Sequence, residues 1–223
     1  MGGRCSRTTR DSLVTSLGGE SMGEIPDAVV QTLHSNQVVA YPTSTLPGLA
    51  TLPTREGLDA LFSLKKRQPT QPVSLGVASL EQASSLVQVP EFAKRLLDDF
   101  PQGTLTLILD AHEPLDQRLG GERVAVRVFA HPTARSLAET VGPVTATSAN
   151  KAGEPPLSDA ESAGLELDLN HDSILAGTCP GGLGSTLVSL DKSPSSPSGF
   201  SVRIMREGVI PATDVNLWMS KNR

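Results

Sequence analysis

Lys65 and Arg67 stand two residues apart at the end of a helical pattern, just ahead of the turn-forming run Gln68-Pro69-Thr70-Gln71-Pro72. A forked guanidinium beside a point-charge ammonium is a pairing suited to phosphate oxygens. The same cations also complement a helix C-terminal dipole, worth about 0.3–1 kcal/mol. The rigid proline turn that fixes their direction is what favours a clamp. Tyr41-Pro42-Thr43-Ser44-Thr45 gathers uncharged hydroxyls where a short apolar strand ends. Ligands collect at strand carboxyl ends in open α/β sheets, although Ser and Thr also close turns on their own account. Arg127 interrupts the apolar run VAVRVF (124–129). It must either face solvent or hold an anion, because an unpartnered buried guanidinium is costly. Thr147-Ser148-Ala149-Asn150 ends another strand and offers a hydroxyl and a carboxamide to a nucleotide's polar edges, or simply an Asx or Ser turn. The Gly-rich run from Cys179 to Thr186 exposes backbone amides that can cradle an anion, or serves as a permissive loop. Arg206-Glu207-Gly208 adds a second guanidinium at the close of the last strand.

The elements that position these residues alternate between helix and strand. Ile25, Ala28, Val29 and Leu33 share one face of a helix over 25–35. A strand follows at 38–41, a loop at 43–55 carrying Pro47, Gly48 and Pro53, and a helix at 56–67. VSLGVA (73–78) is a strand, and Ser79 with Gln82 forms a capping box for the next helix. Pro90 suits the first turn of a helix running to Phe100. In TLTLILD (104–110), Thr104, Thr106 and Ile108 face one way and Leu105, Leu107 and Leu109 the other, the period-two signature of a strand. The strand at 124–129 puts Ala125, Arg127 and Phe129 on one face; a helix from Pro132 and a strand at 144–148 follow. Ser158 with Glu161 reads as a second capping box, starting a helix to about 167. Further strands are expected at 173–176, 186–190 and 201–206, with a loop at 192–199. Helices interleaved with strands predict an α/β fold with a sheet of mixed polarity. Neither GxGxxG after the first strand nor GxxxxGK[ST] occurs, so any ATP site uses another device.

The chain has 223 residues, net charge −5, and seven aromatics (five Phe, one Tyr, one Trp), which makes its core aliphatic. That length suits one domain and can bury a core without staples. We read residues 1–22 as a disordered leader, 23–212 as the folded domain that carries the candidate site and 213–223 as a C-terminal tail. Arg4, Arg7 and Arg10 among Ser and Thr resemble a transit peptide. Asp11 and Gly18-Gly19 interrupt any amphipathic helix there, which favours a disordered leader or a start at Met22. No apolar run approaches the roughly 20 residues of a membrane span. The acidic balance argues against holding nucleic acid by bulk charge. Cys5 and Cys179 lie far apart and the four His are scattered, which argues against structural zinc. Unpaired thiols fit a reducing compartment, and a cytoplasmic location is expected.

The order of these motifs resembles the YrdC-like family, the threonylcarbamoyl-AMP synthases. The family's YPT-acid-T-x-x-G-L-G opening is matched by YPTSTLPGLA (41–50), its K-x-R and proline by Lys65, Arg67 and Pro72, and its W-P-G-P-L-T by Pro101-Gln102-Gly103-Thr104-Leu105-Thr106. R-V-x-x-H-P appears as Arg127 to Pro132, T-S-A-N at 147–150 with Gly153 and Pro155 behind, S-T-V-V-D as STLVSLD (185–191), and R-E-G at 206–208. The resemblance covers about residues 24–212. It implies a twisted mixed-polarity sheet flanked by helices, with a concave basic cleft. It implies a nucleotidyltransferase that makes threonylcarbamoyl-AMP and pyrophosphate from L-threonine, bicarbonate and ATP, with Mg²⁺ carried by ATP and not by protein ligands. The product feeds the downstream machinery that threonylcarbamoylates tRNA, and direct tRNA binding is expected to be weak or absent. In that reading Lys65 and Arg67 are catalytic and bind ATP together with Ser148, Asn150 and Arg206. Thr43, Thr45, Thr106, Arg127 and Ser185 hold threonine.

Several positions depart from the pattern. Ser44 replaces an acid, Pro47 an aromatic, Ala50 a Gly, and the Trp and second Pro of W-P-G-P are missing. Phe129 stands where Pro is typical, Ala152 where Ser is, and Gly76 where some members have His. These bear on threonine affinity and pocket shape more than on ATP. They motivate an alternative, a divergent paralogue that binds RNA or nucleotide without this synthesis. The related carbamoyl-transferring enzymes of hydrogenase maturation need acylphosphatase and zinc-finger regions that this sequence does not show. The chain resembles the short, single-domain form.

Overall fold

A computed structural model of the chain describes residues 24–151 and 153–222. The expected leader, 1–22, lies outside these. The helices are α1 (Asp27–His34), α2 (Arg55–Lys65), α3 (Leu80–Ala83), α4 (Glu91–Asp98), α5 (Pro132–Val141), α6 (Ala160–Glu166) and α7 (Ala212–Lys221). The strands are β1 (Val39–Tyr41), β2 (Gly48–Ala50), β3 (Ser74–Val77), β4 (Leu105–Asp110), β5 (Arg123–Val128), β6 (Val144–Ser148), β7 (Thr186–Lys192) and β8 (Phe200–Arg206). They form one sheet in the order β1-β2-β6-β3-β5-β4-β7-β8. The β3–β5 and β4–β7 pairs are parallel and the others antiparallel, so the polarity is mixed as expected.

Strand alternation divides the apolar residues between the two faces. Leu105, Leu107 and Leu109 of β4, Val124 and Val126 of β5 and Val188 and Leu190 of β7 are buried in the main core. They join Leu58, Leu61 and Phe62 of α2, Phe92 and Leu96 of α4, and Val215 and Trp218 of α7. Val39 and Tyr41, flanking the core-facing Ala40, turn to a second cluster with Val29 and Leu33 of α1 and Ala134, Leu137 and Ala138 of α5. This smaller cluster covers one end of the opposite face, leaving the rest of that face to form a cleft. Among the described residues no helix is long and apolar enough to cross a membrane.

The helix starts follow local chemistry. Thr54 caps α2 by accepting from Gly57 N at 3.1 Å, and Ser79 caps α3 by accepting from Gln82 N at 3.2 Å. The expected Ser158 box is corrected by one residue. Asp159 is the cap, accepting from Ser162 N at 2.7 Å, and a carboxylate there also meets the positive end of the helix dipole. The 43–55 loop contains β2, whose three residues sit between prolines that read as breakers. Residues 173–176 form no strand; His171–Ser173 is a 3-10 turn, followed by a single bridge from Ile174 to Ala40. Ala28, expected on the buried face of α1, is exposed. The segment expected as a tail folds as α7. Trp218 packs edge-on to Phe92 at 5.4 Å and donates from Nε1 to Asp99 Oδ2 at 2.6 Å.

Candidate active site

All eight strands contribute to the floor of a cleft of about 500 Å³: Tyr41, Gly48, Ser148, Ser74, Arg127, Thr106, Leu187 and Arg206, one from each in the order of the sheet. That size suits a nucleotide-scale ligand. Gly48 belongs there for a packing reason, since a Cβ would fall 2.7 Å from Tyr41 Cζ.

At one end lies a pocket of hydroxyls. The turn after β1 is held by Thr43 Oγ1, which donates to Leu46 O at 2.7 Å and accepts from Thr45 N at 3.1 Å. Thr43 N donates to Cys179 Sγ at 3.2 Å, tying this turn to the Gly-rich loop. Arg127 enters from β5. Its Nε donates to Gly103 O at 3.0 Å, and its Nη2 to Thr45 Oγ1 at 3.0 Å and Ser44 Oγ at 3.2 Å. Thr106 and Ser185 hydroxyls meet at 2.7 Å. Behind them Thr186 Oγ1 accepts from Gly208 N and Ile210 N, both at 3.0 Å. Gly208 needs to be glycine, because a Cβ would lie 2.2 Å from Gly184 O.

The guanidiniums of Arg67 and Arg206 also line the cleft. Arg67 is braced by the proline turn, donating from Nε to Gln71 O at 2.7 Å and from Nη2 to Pro72 O at 3.0 Å. Arg206 donates to Ser185 O at 3.0 Å. Among the described residues, Arg67, Arg127 and Arg206 therefore donate only to neutral oxygens. Burial, then the charge of Arg206, holds the Arg67 guanidinium below its usual range. Burial is also the main cause lowering Arg127, with Arg206 adding to it. A cluster of mutually repelling, partly desolvated cations is a site electrostatically short of anions.

Lys65 has a different position. It is buried and outside the cleft lining, and its Nζ donates to Ser148 O at 2.5 Å and Asn150 O at 2.6 Å. Burial, then the Arg67 charge, pushes its ammonium down to about 8. Asn150 is also turned inward: its Oδ1 accepts from Ser148 Oγ at 2.5 Å, and its Nδ2 donates to Glu154 O at 2.5 Å and Lys151 O at 3.1 Å. Of the expected site residues, the structure thus brings Arg67, Arg127, Arg206, Ser148, Thr43, Thr45, Thr106 and Ser185 to one cleft. Lys65 and Asn150 brace the turn that presents Ser148.

Residues 31–208, well over half of the chain, match the Sua5/YciO/YrdC family, described as "Telomere recombination". The chain belongs to the Sua5/YciO/YrdC family. It is 36% identical to a threonylcarbamoyl-AMP synthase of Bacillus subtilis over 164 residues, covering 70% of this chain and 47% of that protein. The chain thus spans about half the length of that relative. It is 34% identical to a threonylcarbamoyl-AMP synthase of Stenotrophomonas maltophilia, over 70% of this chain and 87% of that one. Its fold is similar to Pyrococcus abyssi Sua5 crystallised with L-threonine, with TM-score 0.71 and 28% identity over 84% of this chain and 55% of that one.

Two departures from the YrdC-like pattern explain each other. The Phe129 ring fills the space over Gly76, where a Cβ would lie 1.9 Å from Phe129 Cζ. A His at 76 and this Phe could not coexist. The ring in turn meets Tyr41 edge-on at 5.6 Å. Tyr41 is fully buried, and burial holds its phenol above the usual range. Sequence reasoning missed Arg123 at the far end of the cleft, where it pairs with Asp191 at 2.7 Å and Asp110 at 3.3 Å. The period-two signal that joins Ala125 and Arg127 reaches Arg123 once β5 starts one residue earlier. Leu46 and Leu183, which also line the cleft, carried no signal.

Proposed function

We propose that this member of the Sua5/YciO/YrdC family is a threonylcarbamoyl-AMP synthase. The observation that carries this is Arg127, a buried guanidinium whose partners among the described residues are all neutral, set among hydroxyls in the cleft that also holds Arg67 and Arg206. A carboxylate is the ligand such a pocket lacks, and phosphates are the ligands the other two cations lack. The carbamate of threonine attacks the α-phosphorus of ATP. A carbamate oxygen–phosphorus bond forms, the bond to the bridging oxygen breaks, and pyrophosphate leaves with that electron pair. Phosphoryl and nucleotidyl transfer of this kind is catalysed by positioning and fixed positive charge. Arg67 and Arg206 supply that charge, Ser148 holds the nucleotide, and Arg127 with Thr43, Thr45, Thr106 and Ser185 orients the amino acid. Among the described residues no three His, Cys, Asp or Glu side chains could together hold a metal. In this reading Mg²⁺ enters as part of the MgATP substrate, and the product passes to the tRNA-modifying machinery in the cytoplasm. The test is pyrophosphate release by the purified protein with MgATP and bicarbonate. Release only when L-threonine is present supports the reading; none, or threonine-independent release, refutes it.

A further inference from the structure

This inference rests on the synthase reading and concerns how water is kept from the adenylate once it has formed. Among the described leucines lining the cleft, Leu183 alone is exposed, at 61%. A single exposed leucine is ordinary on a protein surface, but this one is held from both sides. Gly181 N donates to Thr45 O and Val209 N to Gly184 O, both at 2.9 Å. Between these anchors Gly182 has a φ of 79° and open space around its Cβ position, so the turn of the backbone, not crowding, calls for glycine there. The turn delivers Leu183 to the junction between the two halves of the site. The Cβ position of the next residue, Gly184, is 3.8 Å from Leu46 Cδ1 and 3.9 Å from Arg206 Nη2. The residue after that, Ser185, shares its hydroxyl with Thr106 at 2.7 Å in the hydroxyl pocket.

We propose that Leu183, backed by Leu46, excludes water from the carbamoyl–phosphate anhydride while the adenylate is bound. That anhydride is open to hydrolysis. A water oxygen bonds the carbamoyl carbon, the bond from that carbon to the phosphate oxygen breaks, and AMP leaves with the electron pair. The other product is the carbamate, and two protons are shed as both products ionise. Leu183 stands on the solvent side of the place where the amino-acid end meets Arg206, which is where this carbon would lie. Its side chain offers an approaching water no hydrogen bond, and its exposed surface is covered when the adenylate packs against it. Shutting water out of a site suppresses such side reactions of reactive intermediates.

The test is a single turnover of the full chain in excess over MgATP, with L-threonine and bicarbonate. Samples are quenched at intervals, and AMP is separated from intact adenylate by chromatography. Leu183→Ala should speed the conversion of bound adenylate to AMP by about three- to tenfold. Leu183→Met, of similar volume, should restore the protection. The urea midpoint should stay put in both, since the residue is exposed. A second measurement reads the covering directly: the thiol of Leu183→Cys, alkylated with iodoacetamide against the wild-type background, should react several-fold more slowly with MgATP and L-threonine bound. An AMP rate unchanged by Leu183→Ala, loss of adenylate formation in place of faster AMP release, or a thiol that ligands do not protect would overturn the proposal. Threonine-dependent pyrophosphate release by the wild type decides the synthase reading separately. Release with an unaltered AMP rate retires the role of Leu183 alone; no release removes the reading and, with it, the adenylate that Leu183 would guard.

Discussion

Gly76→Ala is the sharpest perturbation the fold offers. The added Cβ would lie 1.9 Å from Phe129 Cζ and 2.6 and 2.7 Å from the two Cε atoms. Relaxed carbon contacts need about 3.5–4.0 Å, so the ring must retreat by roughly 1.6 Å or more. It has little room to do so. Phe129 is 2% exposed and backs onto Tyr41, whose own ring already excludes a Cβ at Gly48. The cost belongs at the top of the usual overpacking range, about 3 kcal/mol, lowering Tm by roughly 6–12 °C for a chain of this size. Phe129→Ala alone leaves a void costing about 3–5 kcal/mol. The double variant has no clash, so it should cost little more than Phe129→Ala by itself. Urea unfolding of the four proteins then yields a coupling of about 2–3 kcal/mol in favour of the double variant. Additivity within about 0.5 kcal/mol would show that Gly76 is not shaped by the ring and would refute the reasoning.

Other outcomes follow from the same contacts. Lys65→Met removes two charge-assisted bonds to the carbonyls of Ser148 and Asn150, so stability should fall along with ATP affinity. A pure loss of affinity at unchanged urea midpoint would instead mark a direct phosphate contact. Because burial lowers the Lys65 pKa from 10.5 to about 8, the folded chain loses this charge first. Its contribution to stability rises as pH climbs from about 8 toward 10.5, while any step needing the ammonium declines over the same range, which a KM–pH profile for ATP reads. Trp218→Ala should cost about 3–5 kcal/mol. A cost below about 1 kcal/mol, read by urea unfolding, would return α7 to the status of a tail.

The sequence announced those features whose physics is local. The alternation of 104–110 gave β4 and both of its faces, and Ser79 gave its cap, because a period or a single hydroxyl decides each. β2 was hidden since three residues between prolines carry no period, and their strand character comes from neighbours distant in sequence. In α7 only Val215 and Trp218 are buried, three residues apart, too sparse a stripe to distinguish a packed helix from a tail. Arg127 was legible as an anomaly, a charge where alternation demanded burial, and the structure supplies neutral partners. The bracing role of Lys65 was not legible. Its carbonyl partners lie 83 and 85 residues away, and nothing in a helix-end lysine tells a strut from a ligand.

The cleft floor takes one side chain or backbone position from every strand, and this ties function to the integrity of the entire sheet. A hairpin or half-sheet fragment would lack part of this lining, because Tyr41 comes from β1 and Arg206 from β8 at the opposite edge of the sheet. A strand that frays at either margin removes part of the cleft lining before the molecule as a whole unfolds, so under the proposed function the edge strands are the places where mild destabilisation would silence the protein first.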